Sequence, residues 1–328
     1  MNVRVLKERE IRGLIGPREA LAAVRDGFSR LARGEVTLPG VIGLDIPAHA
    51  GEVHVKGAHI HGSPFFSIKE AAGFYGNAKR GLPVSSGVVL VFDATTGFLD
   101  SILLDNGFLT ELRTGAAGAL AADLLARRDI DTVGIIGSGG QARYQLEALL
   151  AVRQPRRVLV WSRSAERAAL YARDMSERFG LRVDVVVSAR EAVESSDLVI
   201  TTTPAREPIV RAEWLRPGIH ITAMGSDGPE KREMESACLM KADKLVADRI
   251  DQCLRLGEIH HAVAEGLLDP ARIHGELGEL AAGLKPGRAS DAEITIADLT
   301  GVGVQDAAVA DFVARAARAA ALGEMIEA

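Results

Sequence analysis

The chain has 328 residues, a length that suggests about two domains rather than one. Its 39 basic and 44 acidic residues leave a net charge of −5, which argues against a general nucleic-acid binder with its excess of cations. The longest charge-free runs, 57–68 and 81–92, fall short of the roughly 20 residues of a membrane span. The charged N-terminus differs from a signal peptide, and the two cysteines indicate a reduced, cytoplasmic setting.

The N-terminal part of the chain predicts an α+β domain. Residues 17–33 place apolar side chains at helical spacing and are followed by Gly34, so they predict an amphipathic helix. The next runs have strand-like composition and are separated by glycine or proline turns: 53–55, 65–69, 88–93 and 101–104. They predict a mostly antiparallel sheet, and the Ala- and Leu-rich stretch 114–127 predicts a helix.

The middle of the chain predicts a doubly wound α/β domain. Short apolar strands alternate there with helical stretches, which is typical of βαβ units and a parallel sheet. The predicted strands are 132–136, 157–161, 182–187, 197–202, 220–224 and 244–248. We therefore assign 121–303 to a Rossmann domain and 1–120 to the α+β domain. The C-terminal segment 304–328 also belongs to the α+β domain. Within it we predict a helix at 306–327.

A glycine-rich loop after the first of these strands predicts dinucleotide binding. Gly137, Gly139 and Ala142 form a G-x-G-x-x-A pattern, with Gly140 and Gln141 between them. The first glycine allows a tight turn, the second lets the backbone approach a pyrophosphate, and the small third residue allows close packing of helix on strand. The alternative is a plain glycine turn, but the strand before the loop and the helix after it favour a cofactor.

The end of the second strand bears on the choice between NAD and NADP. A carboxylate there would bind the ribose 2′-hydroxyl, whereas this chain has Ser162, Arg163 and Ser164. An arginine pairs well with a phosphate, so the sequence favours NADP over NAD. The alternative is a solvated arginine on a loop.

Two cations and one acid are candidates for the chemistry. Lys69 and Arg113 follow apolar stretches and would suit a carboxylate clamp, although a structural salt bridge to Asp105 or Glu111 is equally simple. Asp227 follows the fifth strand of the α/β domain, where ligands bind in open parallel sheets, so it is a candidate acid or base. It could equally cap the next helix. We predict no metal site.

Several segments together resemble one family, the ornithine cyclodeaminase/mu-crystallin family, from about residue 3 to residue 323. They are GLPV at 81–84, LDNG at 104–107, LRTGA at 112–116, GSGGQA at 137–142, TTTP at 201–204, MGSD at 224–227 and TGVGVQD at 300–306. Three further segments resemble the cyclodeaminase-like branch associated with ectoine utilisation: LDIPAHAGEVHVK, LRLGEIHHA and ADLTGVGVQDAAVA.

The resemblance implies a homodimer built through the N-terminal domain and a small amino or imino acid as substrate. It implies that Lys69 and Arg113 hold the substrate carboxylate, that Lys69 moves a proton, and that Asp227 is the catalytic acid/base. It also places five residues near the cofactor: Thr114, Thr202, Met224, Lys231 and Thr300. Many members carry an arginine where this chain has Gly43, so the clamp here would have two cations rather than three.

Three activities fit these residues. A cyclodeaminase would oxidise a diamino acid, release ammonia and return the hydride. A ketimine reductase or amino-acid dehydrogenase would use the same residues but consume or produce NAD(P)H. A binding protein without turnover is the third, and the retained Lys69, Arg113 and Asp227 argue against it. Cyclising 2,4-diaminobutyrate, an expected ectoine breakdown product, would give a strained four-membered ring, whereas ornithine would give an unstrained five-membered one.

Overall fold

A computed structural model describes residues 2–327; the outermost residues of our predicted domains, 1 and 328, lie outside the described residues. The strands are β1 (Asn2–Lys7), β2 (Val36–Thr37), β3 (Ile42–Ile46), β4 (Gly51–Ile60), β5 (Phe65–Phe74), β6 (Ser85–Asp93), β7 (Leu99–Leu104), β8 (Thr132–Ile136), β9 (Arg157–Trp161), β10 (Arg182–Val185), β11 (Leu198–Thr201), β12 (His220–Ala223), β13 (Lys244–Ala247), β14 (Gly275–Glu276), β15 (Thr295–Asp298) and β16 (Glu324–Glu327). The helices are α1 (Glu8–Leu14), α2 (Pro17–Ala32), α3 (Phe108–Leu125), α4 (Gly140–Leu149), α5 (Ala165–Phe179), α6 (Ala189–Glu194), α7 (Ser236–Lys241), α8 (Ile250–Cys253), α9 (Gly257–Ala264), α10 (Leu277–Ala281) and α11 (Gly303–Ala319). In the part of the chain described, no helix has the length and apolarity to cross a membrane.

The chain divides into two compact units, Met1–Arg113 with Val302–Ala328, and Thr114–Gly301. Helix α3 runs across the first boundary. Our predicted limit at residues 120 and 121 falls further along this same helix.

The first unit is built on a mostly antiparallel sheet, as predicted. Its strand order is β16-β1-β7-β6-β5-β4-β2, with β3 also paired to β4, and β1–β7 is its parallel pair. Along β5, β6 and β7 the side chains alternate between buried and more exposed, because successive residues of a strand point to opposite faces. The buried face contains Ser67 and Lys69, and α11 packs against β4 and β5.

The opposite face of this sheet is apolar and partly exposed. Phe66 stacks on Phe92 there, with the ring centroids 4.9 Å apart. Ile68 and Leu104 are 40% and 43% exposed. The pattern differs from the usual polar outer face of an antiparallel sheet, and contiguous exposed apolar surface commonly marks an interaction site.

The predicted terminal helix was too long. Helix α11 covers Gly303–Ala319, and the chain then turns back as β16, which pairs antiparallel with β1. Gly323 marks the change, because it adopts φ +92 and a Cβ there would lie 2.9 Å from Cγ of Arg4. Helix α3 was predicted too short at its start. It begins at Phe108, and the Asp105 carboxylate accepts the N–H of Leu109 at 2.8 Å.

The second unit has the predicted doubly wound parallel sheet. Its order is β10-β9-β8-β11-β12-β15-β13-β14, and its paired strands are all parallel. The order reverses direction between β8 and β11, and ligands bind at such a switch point in sheets of this class. We missed β15, which lies between β12 and β13 in the sheet.

Candidate active site

Lys69 and Arg113 are joined in the first unit by an acid that we had not singled out, Asp306. Nζ of Lys69 in β5 lies 3.2 Å from Oδ1 of Asp306, and Nε of Arg113 in α3 lies 2.9 Å from the same oxygen. Arg113 Nη1 also donates to Oε1 of Gln305 at 2.7 Å. Both cations therefore do form a buried salt bridge, and the acid that they share is Asp306.

A close approach of helix to sheet brings Asp306 to the two cations. Gly303 begins α11, and a Cβ on it would lie 2.6 Å from the carbonyl oxygen of Gly57 in β4. Only glycine fits at that distance. Asp306 lies in the first turn of α11, where the helix dipole favours a negative charge.

The cluster is buried and only partly satisfied. Lys69, Arg113 and Asp306 are each at most 5% exposed. Burial lowers the pKa of Lys69 to about 8, while Asp306 acts against this shift. Burial alone would raise the pKa of Asp306, but Arg113 and Lys69 hold it below its ordinary value.

Two polar atoms of the cluster have no partner within residues 2–327. They are Oδ2 of Asp306 and Nε2 of Gln305. Buried polar atoms are normally hydrogen-bonded. Unsatisfied groups beside two cations therefore indicate a place for a polar ligand.

Gly43 lies in β3 opposite His54, on the side of the sheet that also carries Lys56. A Cβ at Gly43 would meet nothing within 4 Å. Lys56 pairs in register with Lys69 across β4 and β5. It is a third cation on this face that sequence reasoning did not identify as part of the clamp.

In the second unit, the predicted dinucleotide loop has the geometry that its sequence requires. Gly137 adopts φ +113, and a Cβ there would lie 2.7 Å from Oγ1 of Thr202. Gly139 is the N-cap of α4, and a Cβ on it would meet nothing within 4 Å. Ala142 is fully buried, and its carbonyl accepts the hydroxyl of Tyr171 at 3.1 Å. Ala142, the last residue of the G-x-G-x-x-A pattern, therefore serves the packing of α4 rather than contact with a ligand.

A cavity of about 960 Å³ opens beside this loop, within the usual size range of cofactor sites. Of the predicted cofactor residues, those that line it are Gly137, Gly139, Ser162, Arg163, Ser164 and Thr202. The N-terminus of α4 and the open space at Gly139 fit a pyrophosphate. The residues present therefore fit a nicotinamide dinucleotide.

Ser162 lies at the centre of the polar end of this cavity. Its Oγ lies 3.0 Å from Oγ of Ser138 and accepts the N–H of Ser164 at 3.2 Å. Arg163 is exposed and, like Arg167, lines the cavity. Glu166 lines it too, a carboxylate in the first turn of α5 that our reading of the strand end did not include.

The structure does not bring the other predicted cofactor residues to the lining of this cavity. They are Thr114, Gly140, Gln141, Ala142, Met224, Lys231 and Thr300. Thr300 is occupied elsewhere, since its N–H and Oγ1 both bind Asp248, at 2.8 and 3.1 Å. The carbonyl of Thr114 accepts from Gln145 at 3.0 Å. Met224 is buried, and its N–H donates to the carbonyl of Thr201.

Asp227 lies in the loop after β12, with its side chain 47% exposed. Its Oδ1 is 2.6 Å from Nζ of Lys231, which is itself nearly buried. The expected capping role is not seen, because α7 begins later, at Ser236, with Glu235 as its N-cap. The carboxylate therefore lies at the C-terminal edge of the parallel sheet, paired with Lys231.

Glu233 anchors the base of the Asp227 loop. Its two oxygens accept the N–H groups of Thr203 at 2.6 Å and Gly225 at 2.9 Å. Burial raises the pKa of Glu233 to about 7. Glu258 in turn accepts the N–H of Glu233 at 2.7 Å. Glu233 was not among the predicted site residues, and its contacts hold the loop in place.

The sequence matches the model of the ornithine cyclodeaminase/mu-crystallin family over residues 1–320. It is 41% identical to an uncharacterised cyclodeaminase of Sinorhizobium fredii, over 99% of both chains. The fold is similar to a Thermococcus litoralis Δ1-pyrroline-2-carboxylate reductase in complex with NADH and L-proline. That match has a TM-score of 0.94 and 34% identity, and it covers 98% of this chain and 99% of the other.

It is also similar to an archaeal alanine dehydrogenase dimer with bound NAD, with a TM-score of 0.93 and 36% identity over 100% and 99% of the chains. The resemblance seen in the sequence is thereby confirmed at the level of the family, whereas the link to ectoine utilisation stays a prediction. The chain belongs to the ornithine cyclodeaminase/mu-crystallin family.

Proposed function

We propose that this protein is an NAD(P)H-dependent imino-acid reductase that also runs in reverse as an amino-acid dehydrogenase. The observation that carries this proposal is the buried pair Lys69 and Arg113, held by one carboxylate and next to unsatisfied polar atoms. Such a pair suits the carboxylate that every α-amino and α-imino acid carries. The similarity to a pyrroline-carboxylate reductase and an alanine dehydrogenase supports the same chemistry.

In this proposal Arg113 and Lys69 bind the substrate carboxylate. Nε and Nη1 of Arg113 are engaged by Asp306 and Gln305, so Nη2 is the donor left for the substrate. Lys69 has further N–H donors besides the one directed at Asp306, and its pKa of about 8 lets it give or take a proton near neutral pH. Asp227 is the second candidate acid/base, because it lies in the loop after β12 with its side chain 47% exposed.

The cofactor, when bound, supplies or accepts the hydride at the α-carbon. In the second unit Gly137, Gly139 and the start of α4 would hold its pyrophosphate. Ser162, Arg163 and Ser164 would hold the adenosine ribose.

We also propose a cytoplasmic location. The two cysteines, Cys238 and Cys253, are buried and form no disulfide, which agrees with a reducing compartment.

We further propose a preference for NADP. Arg163 and Arg167 both line the cavity at the end of β9, and within residues 2–327 neither guanidinium has an ion-pair partner. We expect Arg163→Asp to weaken NADPH binding at least about tenfold, since a charge-assisted hydrogen bond contributes about 1.5–3 kcal/mol. NADH binding should stay nearly unchanged. Fluorescence titration of both reduced cofactors measures this.

The matched control for that substitution is Arg128→Asp, because Arg128 is also exposed but does not line the cavity. It should alter neither affinity. If Arg163→Asp weakened NADH and NADPH equally, the preference for NADP would be wrong.

We also propose a homodimer that forms through the apolar face of the first unit's sheet. Ile68, Leu104 and the stacked Phe66 and Phe92 would be covered in it. A two-fold interface places the same substitution on both subunits. We therefore expect Ile68→Asp to raise the dimer dissociation constant at least about tenfold, because it would bury two unpaired charges. Sedimentation velocity over a range of protein concentrations measures the shift.

Leu170→Asp is the control for the dimer, since Leu170 is 44% exposed on α5 of the second unit. It should leave the dimer intact. A wild-type protein that sediments as a monomer, or an Ile68→Asp variant as dimeric as the wild type, would contradict this interface.

Cyclodeamination is the second candidate, favoured by the 41% identity to a protein named as a cyclodeaminase. One assay separates the two. The protein is mixed with NADPH or NADH and cyclic imino acids, and separately with NAD⁺ or NADP⁺ and ornithine, alanine or 2,4-diaminobutyrate. Cofactor absorbance and ammonia are followed together. Stoichiometric loss of the reduced cofactor supports the reductase, and ammonia release without net cofactor change supports the cyclodeaminase.

A further inference from the structure

Asp306 is the one acid that ion-pairs with both Lys69 and Arg113 among the described residues. We propose that Asp306 is a positioning residue, which sets Lys69 and Arg113 for a single substrate carboxylate and supplies the counter-charge that keeps Lys69 an ammonium ion. The proposal rests on the proposed function, since it assumes that these two cations bind the substrate.

The geometry distinguishes Asp306 from an ordinary structural partner. A single oxygen, Oδ1, contacts both cations, while Oδ2 is buried and has no hydrogen-bond partner in residues 2–327. An acid that served only to neutralise Arg113 would favour a two-oxygen fork with the guanidinium. Here one oxygen is shared, and each cation keeps donors for a second anion.

The charge balance of the cluster favours a monocarboxylate head group. Lys69, Arg113 and Asp306 sum to one positive charge, which one carboxylate neutralises. The other charged groups that interact electrostatically with Lys69 are Lys56 in β4, Asp105 before α3, and its strand neighbour Glu70, whose side chain points to the opposite face of the sheet. Without Asp306, two cations would be buried together at close range, an arrangement that favours loss of a proton from the lysine.

The groups around Lys69 determine in which direction the loss of Asp306 would shift the pKa of the lysine. Burial lowers the pKa of Lys69 most, Arg113 and Lys56 lower it further, and Asp306 raises it through its charge and a hydrogen bond. Removing the charge of Asp306 must therefore lower the pKa of Lys69 below about 8. The amine would then lose its proton at a lower pH than in the wild type, and with it the ability to act as an acid.

The test measures the Lys69 amine directly, in the full-length protein and without substrate or cofactor. The chain has only eight lysines, so labelling with [ε-¹³C]lysine gives a simple spectrum, and Lys69→Arg assigns the signal of Lys69. We expect Asp306→Asn to lower the titration midpoint of Lys69 by about one to three pH units. The control is Asp311→Asn on the same helix, whose acid pairs with Arg315 and Ser63 and should leave the midpoint unchanged.

A folded Asp306→Asn protein with the wild-type midpoint, or a higher one, would overturn the proposal. If that variant does not fold, Asp306→Glu decides, with acetate as the probe of the carboxylate site. Moving the charge outward should weaken the response of the Lys69 signal to acetate at least about tenfold. An acetate titration equal to that of the wild type would overturn the positioning role. Neither measurement depends on turnover, so both remain readable if the proposed function fails.

Discussion

Replacing Lys69 by methionine is expected to lower kcat/KM for imine reduction by about a thousandfold, within the range of general acid catalysis. Methionine has a similar length and fills the buried site, so the variant should still fold. It has no proton to give to the imine nitrogen and no charge for the carboxylate. Steady-state kinetics with the imino acid and the reduced cofactor found for the wild type measure the loss.

The pH dependence of the wild type should follow the same lysine. The pKa of Lys69 is lowered to about 8, mainly by burial. Imine reduction needs the protonated amine, so its rate should be constant below that value and fall above it. Amino-acid oxidation needs the neutral amine and should rise up to the same value. In the Lys69→Met variant we expect neither the fall in the imine-reduction rate above this pH nor the rise in the oxidation rate below it.

Lys79→Met is the control for this substitution, because Lys79 is exposed on the short 3₁₀ segment Tyr75–Arg80. It should keep wild-type rates. An active Lys69→Met enzyme whose pH profile equals that of the wild type would assign the proton transfer to another group, with Asp227 the first candidate.

Local sequence patterns were sufficient for most of the fold. Strand-like composition between glycine or proline turns marked β5 to β7, and short apolar runs between helices marked β8 to β13. The failures lie where local signals conflict with tertiary pairing. The Ala-rich end of the chain favours helix by propensity, yet Glu324–Glu327 pairs with β1 at the other end of the sequence. Strand β15 has the sequence TIAD, in which only Ile296 and Ala297 are apolar, and this short run between polar residues was not recognised.

The candidate site shows the same limit. Lys69 and Arg113 stood out because cations in apolar surroundings are unusual, and the glycine loop stood out by its spacing. Asp306 is separated from Arg113 by 193 positions. In sequence it looks like an ordinary first-turn acid of a helix. Only the packing of Gly303 against Gly57 brings it to the cations, and no single-sequence pattern encodes that contact.

Gly139→Ala is expected to abolish most cofactor binding while leaving the fold unchanged. The position has φ −82, which alanine adopts readily, and a Cβ there would meet nothing within 4 Å of the protein. The space that it would enter belongs to the cavity that we assign to the cofactor. A methyl group should hold the pyrophosphate away from the N–H groups of α4. We expect the dissociation constant for NAD(P)H to rise at least about tenfold, or about 1.4 kcal/mol.

The control is Gly13→Ala in α1, where a Cβ also meets nothing within 4 Å. It should raise the melting temperature slightly, since alanine favours helix over glycine by about 1 kcal/mol, and should not change cofactor affinity. Calorimetric titration with NADPH and NADH gives the affinities, and thermal melts without cofactor report the fold. A Gly139→Ala protein that melts like the wild type but binds cofactor equally well would show that the pyrophosphate does not lie against this turn. If Gly139→Ala lowered the free energy of unfolding by as much as it lowered the free energy of cofactor binding, Gly139 would have a purely structural role.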